Sequence, residues 1–181
     1  ERARYNILTG APDEQESKLL HSLFLKIREG TLKGVSMAET LRQSTRLMHP
    51  QFRNIHNKIF GGYLMREAFE LAWNITYLFC GHRPHFLSVD HMYFYEPVEI
   101  GSILSFTGQV IYTSPRALMV EVTVEVIDPA SGITEVTNVS YFTFTVLDKA
   151  GNSLKINQVL PESYEEGLKL SLIHISEPTR P

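Results

Sequence analysis

A polar loop that leads through two glycines into a long apolar segment holds the residues best suited to chemistry. Asn54 lies in this loop, and its side-chain amide offers two donors and an acceptor, so it can orient a water molecule or a carbonyl group. Gly61 and Gly62 carry no Cβ atom, which lets a ligand or another backbone approach closely. The first amides of a helix lack internal partners and lie at the positive end of its dipole, where they suit a developing oxyanion. The structural alternatives are a turn asparagine that bonds to nearby backbone and glycines that only permit a tight turn.

Acids and histidines near this loop are candidates for a general base. Glu67 and Glu70 stand on the predicted helix after the glycines. Either can be a surface or interface carboxylate, and this is the interpretation that we favour for Glu67. His49 and His56 flank the loop, and histidine can act as a base near neutral pH, although a local hydrogen bond explains such histidines as well. The residue types alone leave all four open.

The composition argues against several other classes of function. The 181 residues carry a formal net charge of −3 and a pI near 6.2, which disfavours a general nucleic-acid binder. The chain has no Gly-x-Ser-x-Gly elbow, no Cys-x-x-Cys or His-x-x-x-His spacing and no Gly-rich phosphate loop, so we expect neither a serine hydrolase nor a metal site. No apolar run reaches the roughly 18 residues of a membrane span. The single cysteine, Cys80, excludes an internal disulfide and fits a reducing compartment.

The elements that must position the loop follow from periodicity and turn residues. Residues 1–36 are predicted to be a linker with an amphipathic helix that begins near Asp13 and ends at Gly30. Residues 31–36 of this linker are expected to be loop. A first strand is predicted at residues 37–48, and Pro50 ends it.

The central predicted element is a long helix from about residue 62 to residue 79, apolar nearly all round and therefore expected to be buried. Its main core face consists of Leu64, Ala68, Leu71, Ile75 and Leu78. Four antiparallel strands are predicted after it, at residues 86–95, 102–112, 117–127 and 134–147. This order indicates an α+β fold. Residues 148–169 are expected to be a tail with a short helix after Pro161.

Two motifs resemble a known family. Asn54, then Ile59-Phe60-Gly61-Gly62, then a helix resembles the loop-and-helix signature of acyl-CoA thioesterases with the hotdog fold. The segment 88–101, Ser-Val-Asp-His-Met-Tyr-Phe-Tyr-Glu-Pro-Val-Glu-Ile-Gly, resembles the strand that follows that helix. The wider match covers roughly residues 10–165 and resembles the second hotdog domain of the mitochondrial acyl-CoA thioesterase 9 type, in which two hotdog repeats lie in one chain.

The resemblance implies a hotdog domain at residues 37–165 that hydrolyses fatty acyl-CoA to free acid and CoA. It implies that Asn54 orients the water or the thioester carbonyl and that the amides of Gly61 and Gly62 hold the oxyanion. CoA is part of the substrate, so no separate cofactor is expected. Because CoA phosphates need cations, Lys58 and Arg116 are the candidate substrate-binding residues, with ordinary surface charge as the alternative.

The sequence departs from the family pattern at the general base. The family acid lies seven positions beyond the second glycine, and Phe69 stands there. Glu70 comes next, but one residue turns a side chain by roughly 100° around a helix. Glu70 can serve as the base, the acid can come from another repeat, or this repeat is a non-catalytic half that completes its partner's site. A hotdog hydratase is a weaker alternative, because it would need an Asp and a His suitably spaced at the loop and helix, and the sequence has no such Asp.

The resemblance also implies a partner and a location. The partner is another hotdog domain, in a homodimer or as a missing N-terminal repeat, and the location is mitochondrial. Because the chain begins at Glu1, we interpret it as a fragment. Residues 166–181 are predicted to be a tail. Its last part, residues 170–181, resembles a translated sequencing adapter and is set aside.

Overall fold

The computed structural model describes residues 18, 21, 22, 24, 25, 27, 29, 30, 33–94, 97–163 and 165–169, with the backbone alone at residues 91–94. The first described residues are helical up to residue 27, and Gly30 follows with a φ of 69° that suits glycine. The predicted end of the amphipathic helix is therefore confirmed, while its start lies outside the described residues. The later elements are β1 (Val35–Ser36), α1 (Met37–Thr40), β2 (Arg42–Leu47), a 3-10 helix (Pro50–Phe52), α2 (Gly61–Cys80), β3 (Pro84–Phe94), β4 (Ile103–Thr113), β5 (Leu118–Ile127), β6 (Thr134–Val146) and β7 (Val159–Leu160).

Helix α2 confirms the predicted long helix and extends it by one residue at each end. Gly81 ends it with a φ of 68°, and its amide donates to the carbonyl oxygen of Tyr77 at 2.8 Å. The expectation that the helix is buried all round is wrong, because Leu78 is 67% exposed and Met65 is 41% exposed. A single sheet covers one side of a helix, so the other side stays open. The buried side consists of Leu64, Ala68, Ala72, Ile75 and Thr76.

Five antiparallel strands form the main sheet in the order β2-β4-β5-β6-β3, which makes β2 and β3 its edges. The regular alternation of β5 buries every second residue from Leu118 to Val124 in one core with the inner side of α2. Gly108 in β4 allows the closest approach, since a Cβ atom there would lie 2.5 Å from Cδ1 of Ile75. The α+β prediction is confirmed, and the pairing of one long helix with an antiparallel sheet is the arrangement that the hotdog resemblance implies.

Two local predictions before α2 are wrong. Residues 37–40 form helix α1 instead of a strand, because the Ser36 hydroxyl accepts a hydrogen bond from the Ala38 amide at 3.2 Å and caps the turn. The residues expected to be loop end in strand β1, which pairs in parallel with β7 in the predicted tail. Both elements are only four or two residues long. They are too short for a periodic pattern to reveal them.

The short helix predicted in the tail is confirmed at residues 165–169. Gln109 donates its side-chain amide to the Glu166 carboxylate at 2.9 Å, and Lys169 pairs with Glu121 of β5 at 2.5 Å. These contacts hold the short helix on the face of the sheet opposite α2. The adapter-like segment lies outside the described residues.

No helix in the described part of the chain is long and apolar enough to cross a membrane. Within the same residues no group of three His, Cys, Asp or Glu side chains is placed to hold a metal ion. Cys80 at the end of α2 is half-buried, and burial raises the pKa of its thiol to about 11. The thiol is therefore protonated near neutral pH and is a poor nucleophile.

Candidate active site at the start of helix α2

Backbone hydrogen bonds close the loop that precedes α2. Phe60 donates its amide to the Phe52 carbonyl oxygen at 2.9 Å, and Asn54 donates its amide to the Lys58 carbonyl oxygen at 2.7 Å. We call residues 52–60 the Asn54 loop. Because its two ends are tied together, the loop enters α2 from a defined direction.

The side chain of Asn54 stabilises this loop through its oxygen and has an amino group that can donate a further hydrogen bond. Its Oδ1 accepts hydrogen bonds from the backbone amides of His56 at 2.8 Å and Lys58 at 3.1 Å. Two N–H donors aimed at one atom identify that atom as the oxygen, so Nδ2 points the other way. Nδ2 has no hydrogen-bond partner among the described residues. The oxygen therefore stabilises the turn, while the amino group remains able to donate to a bound molecule.

The first amides of α2 are also without partners. Tyr63 and Leu64 donate their amides to the Phe60 carbonyl oxygen at 2.9 and 3.4 Å. The amides of Gly61 and Gly62 donate to no other described residue, and Phe60 has no side-chain group that caps the helix. Two donors thus stand at the positive end of a 20-residue helix, where they can bind an oxyanion.

Gly62 also has a steric reason to be glycine. A Cβ atom there would lie 2.4 Å from Cε1 of Phe60, so the ring occupies the space that a side chain would need. Phe60 is 60% exposed and its ring can swing outward. The steric conflict can therefore be relieved by movement of the ring and does not by itself require a glycine at this position.

Glu70 lies on the solvent side of α2. Its carboxylate pairs with Arg66 one turn earlier at 2.8 Å and is 51% exposed, and this hydrogen bond raises the pKa of the Arg66 guanidinium. Together with Phe69, Trp73 and Asn74, Glu70 lines an open cleft of about 320 Å³. Exposed ion pairs of this kind are weak, so the carboxylate is free to turn into the cleft.

The position where the family acid is expected is aromatic. The ring of Phe69 lies 5.3 Å from that of Phe86, 5.9 Å from that of Phe142 and 5.8 Å from that of Phe144. These centroid distances are typical of favourable aromatic contacts. Phe69 therefore joins α2 to strands β3 and β6 and presents a ring instead of a carboxylate to the cleft.

Sequence reasoning missed a cluster on the other side of α2. Glu67 is not a surface carboxylate, because its side chain is only 16% exposed and pairs with Arg46 of β2 at 3.0 Å. Tyr63 lies one turn before it, and its ring stacks on Phe52 with 3.8 Å between centroids. The four-residue spacing of Tyr63 and Glu67 was the one signal available in the sequence.

The two predicted phosphate-binding cations are not brought together. Lys58 forms an ion pair with Glu99, just before β4 begins, whereas Arg116 lies in the turn after β4 ends. The strand between them has 11 residues, which corresponds to roughly 33 Å. Lys58 and Arg116 of one chain therefore do not form a single phosphate site.

The two histidines of the region remain open candidates. His49 precedes the 3-10 helix and His56 lies in the Asn54 loop, and both are exposed. The ring of neither has a hydrogen-bond partner among the residues that the structure describes. The local hydrogen bonds that would explain them structurally are thus not seen.

An antiparallel sheet on one long helix, with an asparagine loop and two glycines at the start of that helix, defines a hotdog-fold domain. Solved structures agree. An acyl-CoA hydrolase from Staphylococcus aureus, in complex with butyryl-CoA and CoA, superimposes with a TM-score of 0.73 and 28% identity, over 77% of this chain and 85% of that one. Variants of that enzyme in which an asparagine, an aspartate or a threonine is replaced by alanine have also been solved. A hexameric acyl-CoA thioesterase of broad specificity matches with a TM-score of 0.58 and 26% identity, over 81% of this chain and 100% of that one.

Curated proteins narrow the class. Mouse mitochondrial acyl-coenzyme A thioesterases 9 and 10 are each 35% identical over 173 residues, which is 90% of this chain and 38% of each relative. The chain belongs to the acyl-CoA thioesterase family with the hotdog fold. It spans little more than a third of the length of these relatives. No family model matches the chain.

Proposed function

We propose that this domain hydrolyses acyl-CoA thioesters to a free acid and CoA, acting together with a second hotdog domain. One observation carries the proposal. The Nδ2 of Asn54 and the amides of Gly61 and Gly62 stand in one loop-and-helix unit, each without a partner among the described residues. Donors left unpaired in this way suit a thioester carbonyl whose oxygen becomes negative during the reaction. Because CoA is part of the substrate, the reaction needs no separate cofactor.

In the proposed reaction, a carboxylate takes a proton from a water molecule as the water oxygen attacks the thioester carbonyl carbon. The carbonyl oxygen becomes an oxyanion and accepts hydrogen bonds from the Gly61 and Gly62 amides at the positive end of α2. Asn54 orients the water or the carbonyl through Nδ2. The tetrahedral intermediate then expels the sulfur of CoA, which takes the proton back from the carboxylic acid. The products are the free acid and the CoA thiol.

The carboxylate is proposed to come from the second hotdog domain. Asn54, Phe69 and Phe86 have the same spacing as the asparagine, aspartate and threonine that were replaced in the Staphylococcus aureus variants. Phe69 and Phe86 are in ring contact here, so this repeat offers hydrocarbon at the positions where that enzyme carries polar groups. The domain then contributes the donors and its partner contributes the acid. Within this chain, Glu70 is the alternative base.

The edge strand β3 supports a second hotdog domain as the partner. Its side chains Phe86, Leu87 and Val89 are 47%, 54% and 40% exposed. An edge strand with exposed apolar side chains is a site for pairing with another chain. A related thioesterase is a hexamer. The partner is a second copy of this chain or another hotdog repeat, and the groove between the two domains takes the acyl chain.

The CoA phosphates are proposed to bind at the end of the sheet that holds Arg116. Arg83 precedes β3 at this end, and Lys155 lies beside the same turn, because the next residue donates its amide to Pro115. All three cations are exposed, and none forms an ion pair with a described residue. The 20 residues of α2 place this end of the sheet about 30 Å from Asn54 of the same chain. We therefore propose that these cations bind the phosphates of a CoA whose thioester lies at the Asn54 loop of the partner domain. Lys58 contributes only if its pair with Glu99 opens.

We also propose a mitochondrial location, because mouse thioesterases 9 and 10 are both named mitochondrial. Fluorescence microscopy of the protein with its native N-terminus tests this directly. Colocalisation with a mitochondrial marker is expected, and a diffuse signal would contradict it.

The test of the activity is CoA release from acyl-CoAs of several chain lengths. It is measured for residues 1–169 alone and co-expressed with a hotdog domain that carries an aspartate at the position of Phe69. Asn54→Ala should lower turnover by about 10²–10³. Asn54→Asp keeps an acceptor for the loop amides but lacks the amino donor, so it should lose activity while the loop stays ordered. Full activity of Asn54→Asp would contradict the role of Nδ2. A folded pair without turnover would favour the non-catalytic half instead.

A further inference from the structure

Two stacked rings join the Asn54 loop to the first turn of α2. The rings of Phe52 and Tyr63 lie 3.8 Å apart between centroids, with an interplanar angle of 14°. The Phe52 carbonyl oxygen accepts the hydrogen bond from the Phe60 amide that closes the loop. Tyr63 donates its own amide to the Phe60 carbonyl oxygen. Each ring therefore belongs to a residue that also bonds to Phe60, the last residue of the loop. The stack fixes how the loop sits against the helix.

An ion pair whose carboxylate is largely buried holds Tyr63 from its other side. Glu67 lies one turn after Tyr63 and pairs with Arg46 of β2 at 3.0 Å. Burial raises the pKa of the Tyr63 hydroxyl. The nearby Glu67 carboxylate raises the pKa of this hydroxyl further, because a negative charge disfavours the phenolate. The contacts thus run from the edge strand β2 through α2 to the loop. We call these four residues the stacked unit: Arg46, Phe52, Tyr63 and Glu67.

We propose that the stacked unit positions Asn54 relative to the amides of Gly61 and Gly62, and that Tyr63 and Glu67 are positioning residues for thioester hydrolysis. The inference rests on the proposed function. The asparagine and the glycine amides belong to a loop and a helix, two segments that can shift against each other. A misplacement of about 1 Å in such a site can lower a rate by about 10². Neither positioning residue needs to touch the reacting atoms.

A second ion pair on the same helix provides the internal control. Arg66 and Glu70 also pair across one turn of α2, at 2.8 Å, but their side chains are 73% and 51% exposed. This pair bonds to no residue of the Asn54 loop in the described part of the chain. Arg66→Gln therefore removes an exposed ion pair from α2 and leaves the ring stack and the Arg46–Glu67 ion pair in place.

The test combines kinetics with amide hydrogen exchange in the same chain and partner preparation. Tyr63→Leu removes the stack and Glu67→Gln removes the charge that holds Tyr63. Each should lower kcat by about 10- to 100-fold and leave KM within about twofold. Each should also speed exchange of the His56 and Lys58 amides by about tenfold, because both donate to Asn54 Oδ1. Tyr63→Phe keeps the ring but loses the hydroxyl beside Glu67, so its kcat should fall no further than that of Glu67→Gln, and Arg66→Gln should match the wild type.

A double variant separates positioning from a general loss of stability. In the Asn54→Ala background, Tyr63→Leu should lower kcat by less than about twofold, because the group that it positions is already gone. A further loss of tenfold or more would overturn the inference, as would wild-type kcat and exchange in both Tyr63→Leu and Glu67→Gln. If Tyr63→Leu does not fold, the exchange rates of Glu67→Gln decide the question. Faster loop exchange in a protein without any thioester turnover would support the unit and contradict the proposed function.

Discussion

The first turn of α2 and the side of the same helix that faces β3 differ in what they leave unsatisfied. At the first turn, two glycine amides and the amino group of Asn54 have no partners among the described residues. Two turns later, Phe69 makes ring contacts with three other phenylalanines. A region that keeps unpaired donors is available to a ligand, whereas a region filled by rings stabilises the fold. The difference supports the proposal that this domain contributes the donors of a site and that its partner contributes the acid.

The largest expected effect on stability comes from removing the ring of Phe69. Phe69→Ala should lower the free energy of unfolding by about 2–3 kcal/mol, somewhat less than for a fully buried phenylalanine, since Phe69 is only half-buried. Urea denaturation measures this. Turnover per folded molecule should stay within about twofold, because the ring holds no reacting group. A large loss of turnover in a fully folded variant would show that the aromatic side belongs to the active site.

A smaller effect is expected at the glycines of the donor side. Gly62→Ala should lower CoA release by about tenfold, which corresponds to about 1.4 kcal/mol, because a Cβ atom obstructs the approach to the helix amides. The helix itself gains from alanine, so the fold should not suffer.

The control for this variant removes the steric conflict with the neighbouring ring. In Phe60→Ala, Gly62→Ala the added Cβ atom no longer meets the Phe60 ring. Activity should stay low in the double variant if the glycine serves the substrate. A return to the rate of Phe60→Ala would mean that Gly62 only makes room for the ring.

The smallest effect is expected at Glu70. Its carboxylate is exposed and paired with Arg66, so Glu70→Gln should change kcat by less than about threefold if the acid comes from the partner domain. Arg66→Gln is the matched variant, since it breaks the same pair and keeps the carboxylate. A decrease in kcat of about 10²-fold or more in Glu70→Gln, but not in Arg66→Gln, would assign the base to this chain. It would contradict the proposal that the partner domain supplies the acid.

Much of the fold could be predicted because its elements are long. The spacing of apolar residues predicts α2, and the alternation predicts β5. The four-residue helix α1 and the two-residue strands β1 and β7 could not be predicted, since each is shorter than the pattern that would reveal it.

The candidate site could be predicted only in part. Asn54, Gly61 and Gly62 follow from residue types and from the family resemblance, and the structure places them in one loop-and-helix unit. Their catalytic roles stay predictions, as do those of Glu70, Lys58 and Arg116. The stacked unit was missed because its members come from three segments, and a stack between Phe52 and Tyr63 leaves no periodic trace.

The sequence by itself determined which residues can share a helix face or a strand face, because side-chain direction follows from backbone period. It also determined that polar donors precede an apolar helix. Only the tertiary structure decided what each face meets. Glu67 and Glu70 are three residues apart on one helix, yet one carboxylate is largely buried against Arg46 and the other stands in solvent. Likewise only the sheet shows that Lys58 and Arg116 lie at opposite ends of β4. Periodicity describes one segment, whereas burial and charge pairing depend on the segments packed against it.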